Sequence, residues 1–190
     1  MYKLIIQLLI SLCFLITLAS KASTACEQTP TPPPTLASPT LEIGFPTRQS
    51  LIQFFYVDQL NNEPNVEVYL SHRVDGHVQT THLETIEPEG QSAEIRSVFT
   101  MAAGEDGERK LFIVVAWPIH LSATGTDGAY YKIYVYRKSI VEGTEGNEIL
   151  FARAHNIENT LGSGFDGIRE GAAVSFPYKD YLTIRAALAR

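Results

Sequence analysis

Five histidines follow the hydrophobic N-terminus of this 190-residue chain: His72, His77, His82, His120 and His155. The first three are spaced by five, which invites a metal reading. Asp75-Gly76 tests it, because this pair is a strong signal for a two-residue type I′ hairpin turn with φ > 0 at both positions. That turn pairs Val74 with His77, His72 with Gln79 and Tyr69 with His82. His72 and His77 then share one sheet face as diagonal neighbours, while His82 points to the other. At most two imidazoles converge, whereas zinc takes three or four ligands. The pattern predicts no metal site.

Other chemistry is equally sparse. The chain has no G-x-S-x-G elbow and no H-E-x-x-H, so neither a local serine nucleophile nor a zinc-protease helix is encoded. Gly104-Glu105-Asp106-Gly107-Glu108 resembles, over fewer than ten residues, a calcium loop of the D-x-D-G-D type. Gly104 stands at its first acidic position, and Lys110 places a positive charge where a ligand would help. These residues predict a solvated tight turn. Glu87 and Glu89 flank Pro88, which makes a turn rather than a paired-acid site. Gly162 and Gly164 form the single G-x-G, without the strand-to-helix context that phosphate binding needs. No cofactor is expected. A hydrolase reading is left with His120, Asp127 and Asp166, brought together from distant loops.

The most suggestive surface is aromatic. In AYYKIYVYR (129–137), Tyr130, Tyr134 and Tyr136 fall on one face of a strand with Lys132 among them. Tyrosine supplies contact area at low rotamer cost plus a hydroxyl, as interfaces favour. These four residues are the candidate binding face; the alternative for them is packing beneath a second sheet or a helix.

The elements that position these residues read mainly as β. Strands are expected at 49–57, 66–74, 77–86, 92–100, 111–117, 129–137 and 148–154, separated by polar, Gly- and Pro-containing turns. LFIVVAW (111–117) is apolar at every position, as in a strand buried on both faces. Residues 122–128 and 162–171 read as loops. In PYKDYLTIRAALAR (177–190), Tyr178, Tyr181, Leu182, Arg185 and Leu188 fall at helical spacing behind Pro177. The expected fold is an antiparallel sheet or sandwich of six to seven strands with one C-terminal helix.

The ends and the charge set the address. Leu4–Leu18 is an apolar run of a secretory signal's length, short of the roughly 20 residues that span a bilayer. Small residues follow, suiting cleavage after Ala25 or Ala22. Cys26 comes next, with Cys13 its only companion and that within the signal, so no disulfide is expected. Cys26 is a candidate for lipidation; Ser23, where a lipoprotein signal normally carries Leu, argues instead for simple cleavage. Residues 27–40 contain five prolines and read as an extended spacer. The expected organisation is a signal at 1–25, a Pro/Thr-rich linker at 26–44 and one domain at 45–190. Removing the signal takes away Lys3 and Lys21 and no acid, which moves the formal charge from −6 to about −8. Such a balance disfavours nucleic acid and an anionic membrane surface, leaving a lipid on Cys26 as the only membrane attachment. The expectation is an exported protein of the bacterial periplasm or cell envelope, more readily a non-catalytic module binding another protein, a basic one by charge, than an enzyme. An envelope-polymer hydrolase and a tethered structural lipoprotein are the alternatives.

Overall fold

The computed structural model describes residues 34–60, 62–143 and 146–189. Asp75 (φ 49°) and Gly76 (φ 85°) make the expected left-handed turn. It joins β3 (Asn62–Val74) to β4 (His77–Ile86) in the predicted register, with Val74 opposite His77, His72 opposite Gln79 and Tyr69 opposite His82. β2 (Ser50–Gln59) and β1 (Thr35–Ile43) complete a four-stranded antiparallel sheet in the order β1-β2-β3-β4. β1 corrects the expected linker at 26–44, because the chain is already paired from Thr35 onward. Its proline is tolerated because β1 is an edge strand, and Pro39 falls within a register shift between Ser38 and Leu41. The expected signal segment and Cys26 lie outside the described residues.

The second sheet is built on β7 (Thr126–Gly143), which pairs with β6 (Arg109–Leu121) along one edge. β5 (Glu94–Ala102) flanks β6. Along the other edge of β7 lie β9 (Ser163–Arg169), followed by β10 (Ala172–Val174), and further along β8 (Gly146–Arg153). Two regions read as loops from sequence therefore pair as strands. Their glycines are the reason: Gly128 and Gly167 oppose each other, and a Cβ on either would lie 2.3–2.4 Å from the other strand's carbonyl oxygen. Only glycine permits that approach.

The two sheets pack face to face over Ile52, Phe54, Val68, Leu70, Leu111, Ile113 and Trp117. The other face of the six-stranded sheet (Phe112, Val114, Ile133, Val135) is covered by two helices, α1 (His155–Leu161) and α2 (Tyr181–Leu188). This explains why 111–117 is apolar throughout: the strand is buried on both faces. α2 starts behind Asp180, whose side chain accepts from Thr183 N at 2.9 Å, not behind Pro177. It buries Ile184, with Leu188 half-buried and Tyr181 edge-on to Phe99, while Leu182 and Arg185 are exposed.

α1, absent from the expected fold, fills the gap between β8 and β9 along β7. There Ala154 N donates to Val135 O at 2.7 Å, and Val135 N donates to the Glu158 carboxylate at 2.8 Å. Arg153, at the end of β8, holds Glu158 in a two-point fork of 2.5 and 3.0 Å. Its third nitrogen reaches Glu84 on β4 at 2.5 Å, in the opposite sheet. Burial pushes the Glu158 carboxyl up, but Arg153, the Val135 N–H and His155 outweigh it and hold the group below its ordinary range.

Arg153→Met leaves two carboxylates without their cation. Because a fifth of the Arg153 side chain is exposed (21%), the expected loss is about 2–3 kcal/mol rather than the 3–5 of a fully buried pair. Thermal unfolding should show a drop on the order of 5–10 °C. Arg153→Lys should recover little of it, since a single ammonium lacks the planar fork.

Candidate functional site on the four-stranded sheet

The structure places the four predicted binding residues on β7, and the inward alternation of that strand decides their fate. Tyr134 and Tyr136 point between the sheets and are 6% and 2% exposed. They form core, which corrects the expectation of an open tyrosine face. Arg153 stacks over Tyr134 at 4.3 Å, and the Tyr136 hydroxyl donates to Glu84 at 3.1 Å. Burial, with the Glu84 charge added, pushes both phenols far above their ordinary range. Lys132 lies 5.0 Å over the Tyr134 ring. Tyr130 is half-buried, its ring 6.3 Å from Trp117 and its hydroxyl 2.6 Å from Ser163 Oγ. The four do not present a common surface.

The three hydrolase candidates do not converge either. His120 Nδ1 meets Asp127 at 2.5 Å, a cross-strand pair that is largely solvent exposed. Asp166 is committed elsewhere: Lys179 lies 2.8 Å away, and Ser175 Oγ and Phe176 N both donate at 3.2 Å. Lys179 foremost holds the Asp166 carboxyl below its usual range. The acidic loop before β6 is closed by its own cation, for Lys110 Nζ is buried and donates to Ala103 O at 2.6 Å and Asp106 at 2.5 Å. A tethered ammonium thus stands where a bound ion would sit. Among the described residues no group of three His, Cys, Asp or Glu is placed to hold a metal.

His72 faces inward at 1% exposure with its ring edge-on to Phe151 at 5.4 Å, and neither ring nitrogen has a hydrogen-bond partner. Burial pushes its imidazolium below the ordinary value of 6.5. With the folded pKa depressed, the neutral ring contributes stability above the unfolded pKa, and this is lost as pH falls from about 6.5 towards the lowered value. Urea titrations between pH 7.5 and 5 should show wild type losing up to about 1.4 kcal/mol per pH unit more than His72→Phe. Parallel pH profiles would contradict this account.

Among the described residues, the outer face of the four-stranded sheet is left open. Phe55, Tyr69 and His82 form a row across β2, β3 and β4, with ring centroids 6.0 and 5.1 Å apart. Around them stand Leu36, Leu51, Val57 and Val78, each at least 40% exposed. Glu67 anchors the row by pairing with His82 and accepting from Thr85 Oγ1 at 2.9 Å, and Ser71 and Thr80 hydroxyls meet at 2.8 Å. A sheet packed on one side ordinarily turns polar residues outward; an aromatic row rimmed by exposed Leu and Val side chains there is the departure that marks interaction surfaces. Tyr69 and Phe55 are visible in the alternation of β2 and β3, but the alternation does not say which face the second sheet covers. The charge is partitioned as well. Residues 35–94 hold nine acids against Arg48 and Arg73, whereas 95–190 hold eleven of each sign.

Core and face tyrosines should respond differently. Tyr134→Ala is expected to cost about 3–5 kcal/mol in urea unfolding, and Tyr69→Ala, at a half-buried position on the outer face, about 1 kcal/mol, the upper value of a cross-strand pair.

In comparisons with protein-family models, curated proteins and solved structures, the chain matches none.

Proposed function

We propose that the chain is a non-catalytic binding module of the bacterial cell envelope, in the manner of an inhibitor or immunity-type protein, which docks another protein onto the outer face of β1–β4. The observation that carries this reading is the uncovered Phe55–Tyr69–His82 row. Rigid aromatics on a paired sheet lose little rotamer freedom on binding, so their burial converts efficiently into affinity. Four strands about 4.8 Å apart and nine or more residues long offer roughly 19 by 30 Å. That covers most of the about 800 Å² a stable interface buries per partner. The acidic balance of residues 35–94 favours a basic partner, whose approach opposite charge would accelerate. Export is supported by the apolar run Leu4–Leu18 and the small residues after it, with Cys26 as the position for a lipid if the chain is anchored.

Photo-crosslinking in the native envelope tests the docking face. A benzophenone side chain at Leu51 or Thr80 should give one recurrent adduct with a basic protein, and the same probe at Leu182 on α2 should give none. Phe55→Ser combined with Tyr69→Ser should reduce the adduct at least tenfold. Adducts of equal yield from both surfaces, or none from Leu51 and Thr80, would overturn the assignment.

A further inference from the structure

An open sheet leaves edges, and each edge is a row of backbone N–H and C=O groups without partners. Among the described residues the two sheets have five edge strands: β1, β4, β5, β8 and β10. Four of them carry features that discourage further pairing. β1 contains Pro39 and register shifts, and it lies against β5. β5 carries Glu94 and Arg96, with a register shift between Ile95 and Ser97. β8 carries Glu148 and ends in Arg153, and β10 is only three residues long.

β4 lacks such protection. At ten residues it is the longest of the five, with no Pro, Lys, Arg or Asp. Its one carboxylate, Glu84, turns inward to Arg153 and the Tyr136 hydroxyl. A register shift at Leu83 interrupts the ladder near one end, where Tyr69 pairs with His82 and Val68 with Glu84. His77–His82 is left as a regular run about 20 Å long. This run is held in place from the β3 side. The Ser71 and Thr80 hydroxyls meet at 2.8 Å, and His82 pairs with Glu67. An edge already fixed has little ordering cost when a further strand arrives.

The edge is continuous with the open face. Val78, Thr80 and His82 lie opposite Arg73, Ser71 and Tyr69, and His82 is the last ring of the aromatic row. A strand added beyond β4 would set every second side chain beside these three, in line with Tyr69 and Phe55. Main-chain hydrogen bonds then give affinity, and the alternate side chains give specificity. The run itself carries no acid, but exposed Asp75 and Glu87 lie beyond its two ends. That arrangement suits a segment with cationic ends. It opposes a second copy of the chain, which would bring residues 35–94, with nine acids and two bases, against their own kind.

We propose that the partner adds an extended segment to the free edge of β4 as a fifth strand along His77–His82. Its alternate apolar side chains continue the Phe55–Tyr69–His82 row, and its basic residues lie towards Asp75 and Glu87. This part rests on the docking reading above, and it names the form in which the basic partner binds.

Hydrogen exchange tests the edge with a probe of known sequence, acetyl-Lys-Val-Thr-Val-Thr-Val-Lys-amide. At saturation in the ¹⁵N-labelled protein, it should slow exchange about tenfold at alternate amides within 77–82 and leave β5 and β8 unchanged. The same peptide with every Val and Thr N-methylated keeps its side chains and loses its backbone donors, and it should slow none. Unchanged exchange, equal slowing by the methylated peptide, equal protection on β5 and β8, or the same protection on concentrating the protein alone would overturn the proposal. The peptide reads the edge and the crosslinks read the face. A face adduct with no peptide protection removes the added strand and leaves the docking face. Edge protection with no face adduct removes the partner as the source of the strand.

Discussion

The architecture turns on one guanidinium. Arg153 lies at the end of β8, yet it reaches Glu84 in the opposite sheet, Glu158 in α1 and the ring of Tyr134 in the core. Each contact ties a different layer. Without Glu158, the Val135 N–H would face a gap between β8 and β9 with no strand to take it, and an orphaned backbone donor is something folded proteins avoid. The seven-residue α1 is too short to hold itself. It exists because its carboxylate substitutes for a missing strand and because Ile157 and Leu161 are buried beneath it.

That arrangement decides which surfaces are available. Covering the six-stranded sheet on both sides consumes the tyrosines of β7 and the apolar run of β6. Among the described residues, the four-stranded sheet is covered on one side only. Its other side therefore carries the aromatic row into solvent, within the stretch 35–94 that holds the excess negative charge. Inward groups such as His72 and outward ones such as His82 differ by strand parity alone, yet one is sealed without a partner and the other is paired with Glu67.

Much of this is legible in the order of the residues. Period-two alternation and the Asp75-Gly76 turn specify the β2–β5 and β7 strands, the hairpin register, and the separation of His82 from His72 and His77. They do so because side-chain direction in a strand depends only on local geometry. The continuous apolar run at 111–117 likewise signals a strand with two buried faces. β1, β9 and β10 are hidden, since proline and glycine read locally as breakers and are accepted only where an edge strand or a close backbone approach makes use of them.

The candidate site is legible in its residue types and not in its location. Tyr69, Tyr134 and Tyr136 all sit at alternating strand positions with similar neighbours. The amino-acid order therefore establishes that aromatic faces exist, that the fold is mainly β, and that no local catalytic motif is present. Which of those faces is core and which is surface is a property of layers. A strand's pattern fixes the parity of its side chains; only the packing of one sheet on another, and of two helices on the far side, decides which parity is removed from water.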